Sequence, residues 1–498
     1  MRAAWSSLTA VAAGALSVAG FGDAELFALP ILALAALAWL WSRAPSPARA
    51  AWLGLAFGAG HFLVGVSWVY VSLHDFGMMP APLAALATLL FCLYLALFPA
   101  AVGALQALLR GPPAARLLLA MPSLWAVSEW ARGGLFTGFP WLALGYSQVG
   151  GPLEGLFPLA GVYGASFAAA LGAGALALAA EREPRGLAIG ASAVAAVLAA
   201  SQLALRAEWT RPDGAPVTVA LLQGNVPQAL KFVPGRFETT LATYAALAER
   251  TRARLIVLPE TAIPRFLHQV DPDYVERLAA IARRNDGDLL VGVPLRDAEG
   301  YYNAVVSVGT SPSQRYAKSH LVPFGEFVPP GFGWIVHVLQ IPMSDFSRGA
   351  AGARPLAIAG QRVAPNVCYE DAFGEEIVRQ LPEASLLVNV SNVAWFGDSL
   401  APAQHLRISR ARSLETGRYM LRATNTGVTA IVDDRGRVTA RLPTFTEGVL
   451  EGTAQGRTGA TPYVRTGNAG MIALAVLALA LAAALGRRLT ASARPAAG

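Results

Sequence analysis

Three residues in this chain have the types and settings of reacting groups: a carboxylate, a lysine and a thiol. Glu260 closes the run Leu255-Ile256-Val257-Leu258-Pro259-Glu260, and Lys318 opens Lys318-Ser319-His320-Leu321-Val322-Pro323-Phe324-Gly325-Glu326. Cys368 lies in Pro365-Asn366-Val367-Cys368-Tyr369-Glu370-Asp371. It is one of only two cysteines, so no disulfide framework is expected. The other, Cys92, sits in Leu90-Phe91-Cys92-Leu93-Tyr94 and reads as a small apolar filler. Cys368, in a polar and punctuated segment, reads as a nucleophile. A carboxylate at the carboxyl end of a buried strand suits a general base for that thiol. A lysine kept charged beside glutamates favours the thiolate and holds a tetrahedral oxyanion. Together these are the parts of an acyl-transferring thiol enzyme.

Each residue also has a plainer reading. Glu260 could cap a turn or pair with a local arginine, Lys318 could be solvated, and Cys368 could be a small buried hydrophobe. His320 offers a Cys–His pair, but a base and an electrophile are already supplied. His405 reads as structural. Histidines and carboxylates show no metal-ligand spacing, and no metal or cofactor is expected.

The elements that must position these groups differ sharply along the chain. Hydrophobic residues make up 54% and charged residues 14%, against about 25% charged in a soluble domain. Residues 1–205 are nearly free of charge, whereas 206–455 resemble an ordinary globular sequence. A spanning helix needs about 20 apolar residues, and eight stretches qualify: 4–21, 25–42, 51–72, 82–109, 114–131, 158–180, 186–205 and 469–486. The fifth is interrupted by Ser123, Ser128 and Glu129.

Net charge is +7, and the basic residues gather in alternate loops. Arg43 and Arg49, Arg110 and Arg116, Arg182 and Arg185, and finally Arg487, Arg488 and Arg494 fall on one side. Phe21-Gly22-Asp23-Ala24-Glu25 and His74-Asp75-Phe76-Gly77 carry no lysine or arginine. The positive-inside rule then makes both termini cytoplasmic and 206–465 periplasmic in a Gram-negative inner membrane. No aromatic–basic interleaving supports nucleic-acid binding. The loop 132–157, rich in glycine and aromatics, reads as an interfacial belt or a surface for lipid tails.

From Val217 the pattern alternates strand and helix. Strands are expected at 217–223, 255–258, 288–293, 302–309, 362–367, 385–390, 420–424 and 427–433, and helices at 237–254, 274–284, 371–380 and 402–416. This is an α/β layered sheet.

At these residues the chain resembles the apolipoprotein N-acyltransferase family, a membrane branch of the nitrilase (carbon–nitrogen hydrolase) superfamily. The resemblance spans essentially the whole chain. It rests on Leu258-Pro259-Glu260-Thr261, on Lys318 through Glu326, on Asn366-Val367-Cys368-Tyr369-Glu370 and on Ala423-Thr424-Asn425-Thr426-Gly427. In the membrane half it rests on Trp68-Val69-Tyr70-Val71-Ser72 and Phe136-Thr137-Gly138-Phe139-Pro140-Trp141.

The resemblance implies a polytopic helical membrane domain of about eight transmembrane helices (1–210 and 466–488, with a cytoplasmic tail at 489–498). It joins this to an α/β nitrilase-like αββα sandwich at 211–460. It implies a Glu260–Lys318–Cys368 triad supported by Glu326, Tyr369 and Glu370. The expected lid and lipid contacts are Phe232, Phe139, Trp141, Tyr146, Trp395 and Phe396. The implied partners are a phospholipid acyl donor, a diacylated apolipoprotein acceptor and the bilayer, with the chain a monomer. Two positions depart from the family pattern. Phe232 follows Gln228-Ala229-Leu230-Lys231 where the family has tryptophan. Val393 stands in Ser391-Asn392-Val393-Ala394-Trp395-Phe396-Gly397 where it has aspartate. The alternatives are a membrane-tethered amidase with the same triad, and a transporter with an accessory soluble domain, which predicts polar residues deep in the spans; His61 and Glu129 are the few candidates.

Overall fold

A computed structural model describes residues 2–22, 25–109, 111–181, 184–329 and 345–492. Of the basic loop residues, Arg110, Arg182 and Arg494 lie outside the described residues, as do Asp23 and Ala24. The chain forms two compact units, one helical (Met1–Ser67, Ala85–Ala207 and Arg465–Gly498) and one rich in strands (Trp68–Ala84 and Glu208–Val464). Trp68–Ala84, expected within the membrane domain, thus clusters with the strand-rich unit.

In the helical unit, five helices among the described residues are long and apolar enough to cross a membrane: Ala4–Phe21, Ala81–Leu108, Glu154–Ala180, Pro184–Arg206 and Ala469–Arg487. The number rises to six if Pro47–Gly65 and Trp68–Phe76 are counted as one broken span. That is fewer than the expected eight, for two physical reasons. Ala28–Ser42 is apolar but only 15 residues long. The stretch 114–131 is divided among Pro113–Ala115, the π-helical Arg116–Ala120 and Met121–Arg132.

The polar residues inside this unit are engaged in holding it together. Glu129 accepts hydrogen bonds from Trp125 Nε1 and the Leu144 amide, both at 2.8 Å. His61 Nδ1 lies 2.7 Å from Ser17 Oγ. Arg132 donates to the carbonyls of Phe139 (2.8 Å) and Trp141 (2.6 Å), which pins the glycine-rich loop. Trp141 and Tyr146 are buried core residues. Their expected role as lipid contacts is therefore corrected: indole and phenol rings of this size contribute more by filling the interior. Leu135 and Phe136, in contrast, are exposed.

The strand-rich unit is built from β1 Thr210–Pro212, β2 Val217–Gln223, β3 Leu255–Val257, β4 Asp288–Arg296, β5 Tyr301–Gly309, β6 Arg315–Ala317 and β7 Leu356–Ile358. It continues with β8 Gln361–Val367, β9 Leu386–Ser391, β10 Met420–Thr424, β11 Ala430–Val432, β12 Val438–Arg441, β13 Gly448–Ala454 and β14 Arg457–Gly459. Two six-stranded sheets result, ordered β13-β2-β3-β4-β5-β6 and β12-β11-β10-β9-β8-β7. The strands β2-β3-β4 and β8-β9-β10 run parallel at the centre of each.

Alternation along the strands dictates the layers. Val219, Leu221, Leu255 and Val257 of the first sheet share a core with Val363, Val367, Val388 and Leu421 of the second. The alternate residues Ala220, Leu222, Ile256 and Leu258 face outward onto the helices Phe237–Glu249 and Pro272–Arg284. On the opposite side Ala364, Leu387 and Met420 pack with Ile377 and Leu406. The order is helix, sheet, sheet, helix. Gly374–Ile377 and its flanking 3-10 turns take the place of the longer helix expected at 371–380.

Gly292 on β4 allows this packing to present Glu260. A Cβ there would come within 2.3 Å of the Pro259 carbonyl oxygen and 2.7 Å of the Glu260 Cα. No flexible side chain is available to yield. Gly292→Ala is expected to displace the Pro259–Thr261 turn and cost about 1–3 kcal/mol. A lowered thermal midpoint together with loss of Cys368 reactivity checks this.

Candidate active site

The two parallel strand sets end at one place. β3 delivers Glu260 and β8 delivers Cys368, each just past the carboxyl end of its strand. Both turns are sharp: Thr261 has φ +49° and Cys368 φ +54°. A non-glycine residue held at positive φ is strained, and the surroundings must fix it there.

At Cys368 the fixing groups are hydrogen-bonding side chains packed beneath the turn. Its carbonyl accepts from Asn389 Nδ2 at 3.1 Å, and His405 Nε2 lies 3.2 Å away. His405 Nε2 is also 2.7 Å from Asp371 Oδ1, and Asp371 Oδ2 accepts from Ser409 Oγ at 2.6 Å. Arg422 Nη1 bonds Asn389 Oδ1 at 2.7 Å and approaches Asp371 at 3.4 Å. All of these side chains are buried. His405 is therefore structural in a specific sense, since it supports the peptide that carries the thiol.

Lys318 follows β6 and is 1% exposed. Its Nζ sits 2.8 Å from Glu326 Oε2 and 3.8 Å from Glu260 Oε1. Asn303, in the middle of β5, donates through Nδ2 to both carboxylates, to Glu260 Oε1 and Glu326 Oε1 at 2.7 Å each. The Asn303 carbonyl also accepts the Lys318 amide at 2.8 Å. Burial alone would depress the ammonium, but Glu326 and Glu260 outweigh it and hold Lys318 above the ordinary lysine range. The second oxygen of Glu260 accepts the Asn392 amide at 2.8 Å. Its main-chain carbonyl accepts from Lys231 Nζ at 3.2 Å.

Burial pushes the Cys368 thiol up, and the Glu260 carboxylate adds to this, while Lys318 pulls it down. A buried thiol of this kind rests protonated and needs a base, and Glu260 is the carboxylate beside it.

Glu370 joins the lysine segment to the nucleophile's turn. Its carboxylate accepts from the amides of Ser319 (2.7 Å), His320 (3.0 Å) and Val367 (2.7 Å), and from Tyr316 Oη (2.9 Å). The Tyr369 ring is buried edge-on to Phe373. His320 stacks on Phe373 at 3.6 Å and has Nδ1 3.0 Å from Glu376, so its ring is committed away from a Cys–His pair.

Of the expected lid residues, Phe232 is half-buried where the short helix Gln228–Lys231 ends. Trp395 and Phe396 pack against Phe76 and Trp68 of the Trp68–Ala84 segment (6.1 and 4.4 Å between centroids). Phe139 lies in the helical unit, edge-on to Phe91. Val393 fills a small space over Gly427, where a Cβ would meet its Cγ2 at 2.2 Å, so the apolar side chain is seated without a polar partner. The sequence assigns no role to Asn303, Asn389, Asn392 or Lys231, although Lys231 and Asn392 lie in the family-pattern segments and Asn303 is a lone amide in the apolar run Asn303-Ala304-Val305-Val306.

A family model described as the apolipoprotein N-acyltransferase N-terminal domain matches residues 13–175, and one described as carbon–nitrogen hydrolase matches 218–463. The apolipoprotein N-acyltransferase of Nitrosomonas europaea is 52% identical over 97% of this chain and 98% of its own length. That of Chromobacterium violaceum is 48% identical over 95% and 93%. A solved carbon–nitrogen hydrolase from Helicobacter pylori aligns with 48% of this chain and 89% of its own, at 18% identity and a TM-score of 0.38. The chain belongs to the apolipoprotein N-acyltransferase family. A match that includes the helical half does not favour the amidase or transporter alternatives.

Glu326→Gln removes the nearer of the two carboxylates that hold Lys318. The ammonium is then expected to close on Glu260 and occupy the base. Breaking a buried ion pair costs about 3–5 kcal/mol, and Cys368-dependent turnover should fall at least about a hundredfold. Steady-state rates beside thermal midpoints separate the two effects.

Proposed function

We propose that this member of the apolipoprotein N-acyltransferase family moves an acyl chain from a membrane phospholipid to the N-terminal amine of an S-diacylglyceryl-cysteine apolipoprotein. The product is a triacylated lipoprotein. The observation that carries the reading is the constellation of buried Glu260 and Lys318 with half-buried Cys368 at the carboxyl ends of two parallel strand sets. In this reading those three are the catalytic residues, with Glu326, Tyr369 and Glu370 in support.

The reaction is ping-pong. Glu260 takes the thiol proton as the Cys368 sulfur attacks the ester carbonyl carbon. Negative charge moves to the carbonyl oxygen, where the Lys318 ammonium and a main-chain N–H near Tyr369 hold it. Collapse breaks the ester C–O bond, and the departing lysophospholipid oxygen takes the proton from Glu260. A thioester remains on Cys368. The acceptor amine attacks it, Glu260 accepts a proton from the attacking nitrogen, and the C–S bond breaks. The thiolate recovers its proton from Glu260. Amines attack thioesters readily and oxygen esters poorly, which is the reason for two steps. Phe232, Trp395 and Phe396 exclude water that would hydrolyse the intermediate.

The loop charges support an inner-membrane orientation with both termini cytoplasmic and the strand-rich unit periplasmic. The chain acts as a monomer.

A synthetic diacylated lipopeptide mixed with phospholipid and the purified chain tests the reading. The expected outcome is a gain of one acyl chain by the peptide, lost when its amine is acetylated beforehand and lost in Cys368→Ala. Release of free fatty acid with no peptide product, or product formation that survives Cys368→Ala, would overturn it.

A further inference from the structure

Lys231 plays no part in the chemistry above, yet it lies within that site. It ends the short helix Gln228–Lys231 and is 3% exposed. Its Nζ donates to the Glu260 main-chain carbonyl at 3.2 Å. Among the described residues no carboxylate comes within ion-pair distance of this ammonium. One neutral acceptor is a poor exchange for the hydration a lysine gives up, because burying an unpaired charge is expensive. Such a group is retained for what its charge does to its neighbours.

Those neighbours are identifiable. Burial lowers Lys231 to about 8, and the two groups that pull it back are Glu260, arriving from β3, and Cys368, arriving from β8. Beyond them lie Lys318, from β6, and Glu326, both already paired. Lys231 holds the main-chain side of Glu260, whereas Lys318 faces its carboxylate. The two lysines thus bracket the base, and they differ in one respect. Lys318 is held above the ordinary lysine range, whereas burial brings Lys231 down to about 8.

We propose that Lys231 is a positioning residue for the Glu260–Cys368 pair: its ammonium fixes the Glu260 peptide and supplies the positive field in which the thiol gives up its proton. The S–H bond breaks and an O–H bond forms on Glu260, so one negative charge passes from oxygen to sulfur while Lys231 stays protonated throughout. The sign follows. The field is present below about pH 8 and is lost as pH rises through the Lys231 value. The inference rests on Cys368 and Glu260 acting as proposed above.

The test reads the thiol without any acyl donor. In the full chain carrying Cys92→Ala, Cys368 is the only thiol, and its alkylation by iodoacetamide is followed across pH. Wild-type sequence at 231 is expected to show an inflection near pH 8 in addition to the thiol's own titration. Lys231→Met should raise the apparent thiol titration by about one unit or more and slow alkylation near pH 7 about tenfold. Lys231→Arg keeps its charge at every pH in this range, so it should restore the rate to within about threefold and abolish the inflection. An unchanged profile in Lys231→Met overturns the proposal. If Lys231→Met does not fold, an inflection that persists in Lys231→Arg overturns it equally. Loss of lipopeptide acylation with these profiles intact would count against the proposed function and leave the role of Lys231 standing.

Discussion

One buried ammonium organises the strand-rich unit. Lys318 stands between Glu326 and Glu260, and Asn303 bridges the same two carboxylates from the neighbouring strand. Two carboxylates this close would repel, and one would take up a proton. The ammonium and the amide offset that repulsion out of water. Glu326 is satisfied by a short ion pair and by the Val322 amide at 2.8 Å. Glu260 is left further from the ammonium. That asymmetry, 2.8 Å against 3.8 Å, commits the ammonium to Glu326 more closely than to Glu260.

The rest of the fold holds this array against the thiol. Two parallel strand sets end together and place Glu260 and Cys368 at one end of the sheets. The strained turn at Cys368 is clamped from below by Asn389, His405 and the Asp371–Arg422 pair, and from the side by Glu370. Glu370 bonds the Val367 amide on one turn and the Ser319 and His320 amides on the other, so the thiol and the ammonium cannot drift apart independently. A rigid, water-poor site of this kind strengthens every charge within it.

Much of this was legible in the sequence. Glu260, Lys318, Glu326, Cys368 and Glu370 sit in long motifs, and the strands β2, β8 and β10 fall within expected strand ranges or nearly so. What failed has physical causes. Lys231 looks like any solvated lysine, because nothing local shows that a helix end will tuck it beneath Glu260. The short strands β6 and β7 carry too few residues for a period to register. Apolar composition counts more candidate spans than the described helices bear out, because hydropathy does not reveal that Arg116–Ala120 is π-helical or that Trp68–Ala84 clusters with the strand-rich unit. Trp141 and Tyr146 were placed at a lipid surface by residue type alone, although aromatic residues fill cores as readily. Val393 departs from the family pattern, and it packs over Gly427.

The most direct test of the account is the intact mass of the purified chain incubated with phospholipid and no acceptor. The account predicts one acyl group on Cys368, released by hydroxylamine, and none in Lys318→Met when that variant keeps its fold. A Lys318→Met protein that acquires the adduct at the wild-type rate would contradict the claim that this ammonium makes the chemistry possible.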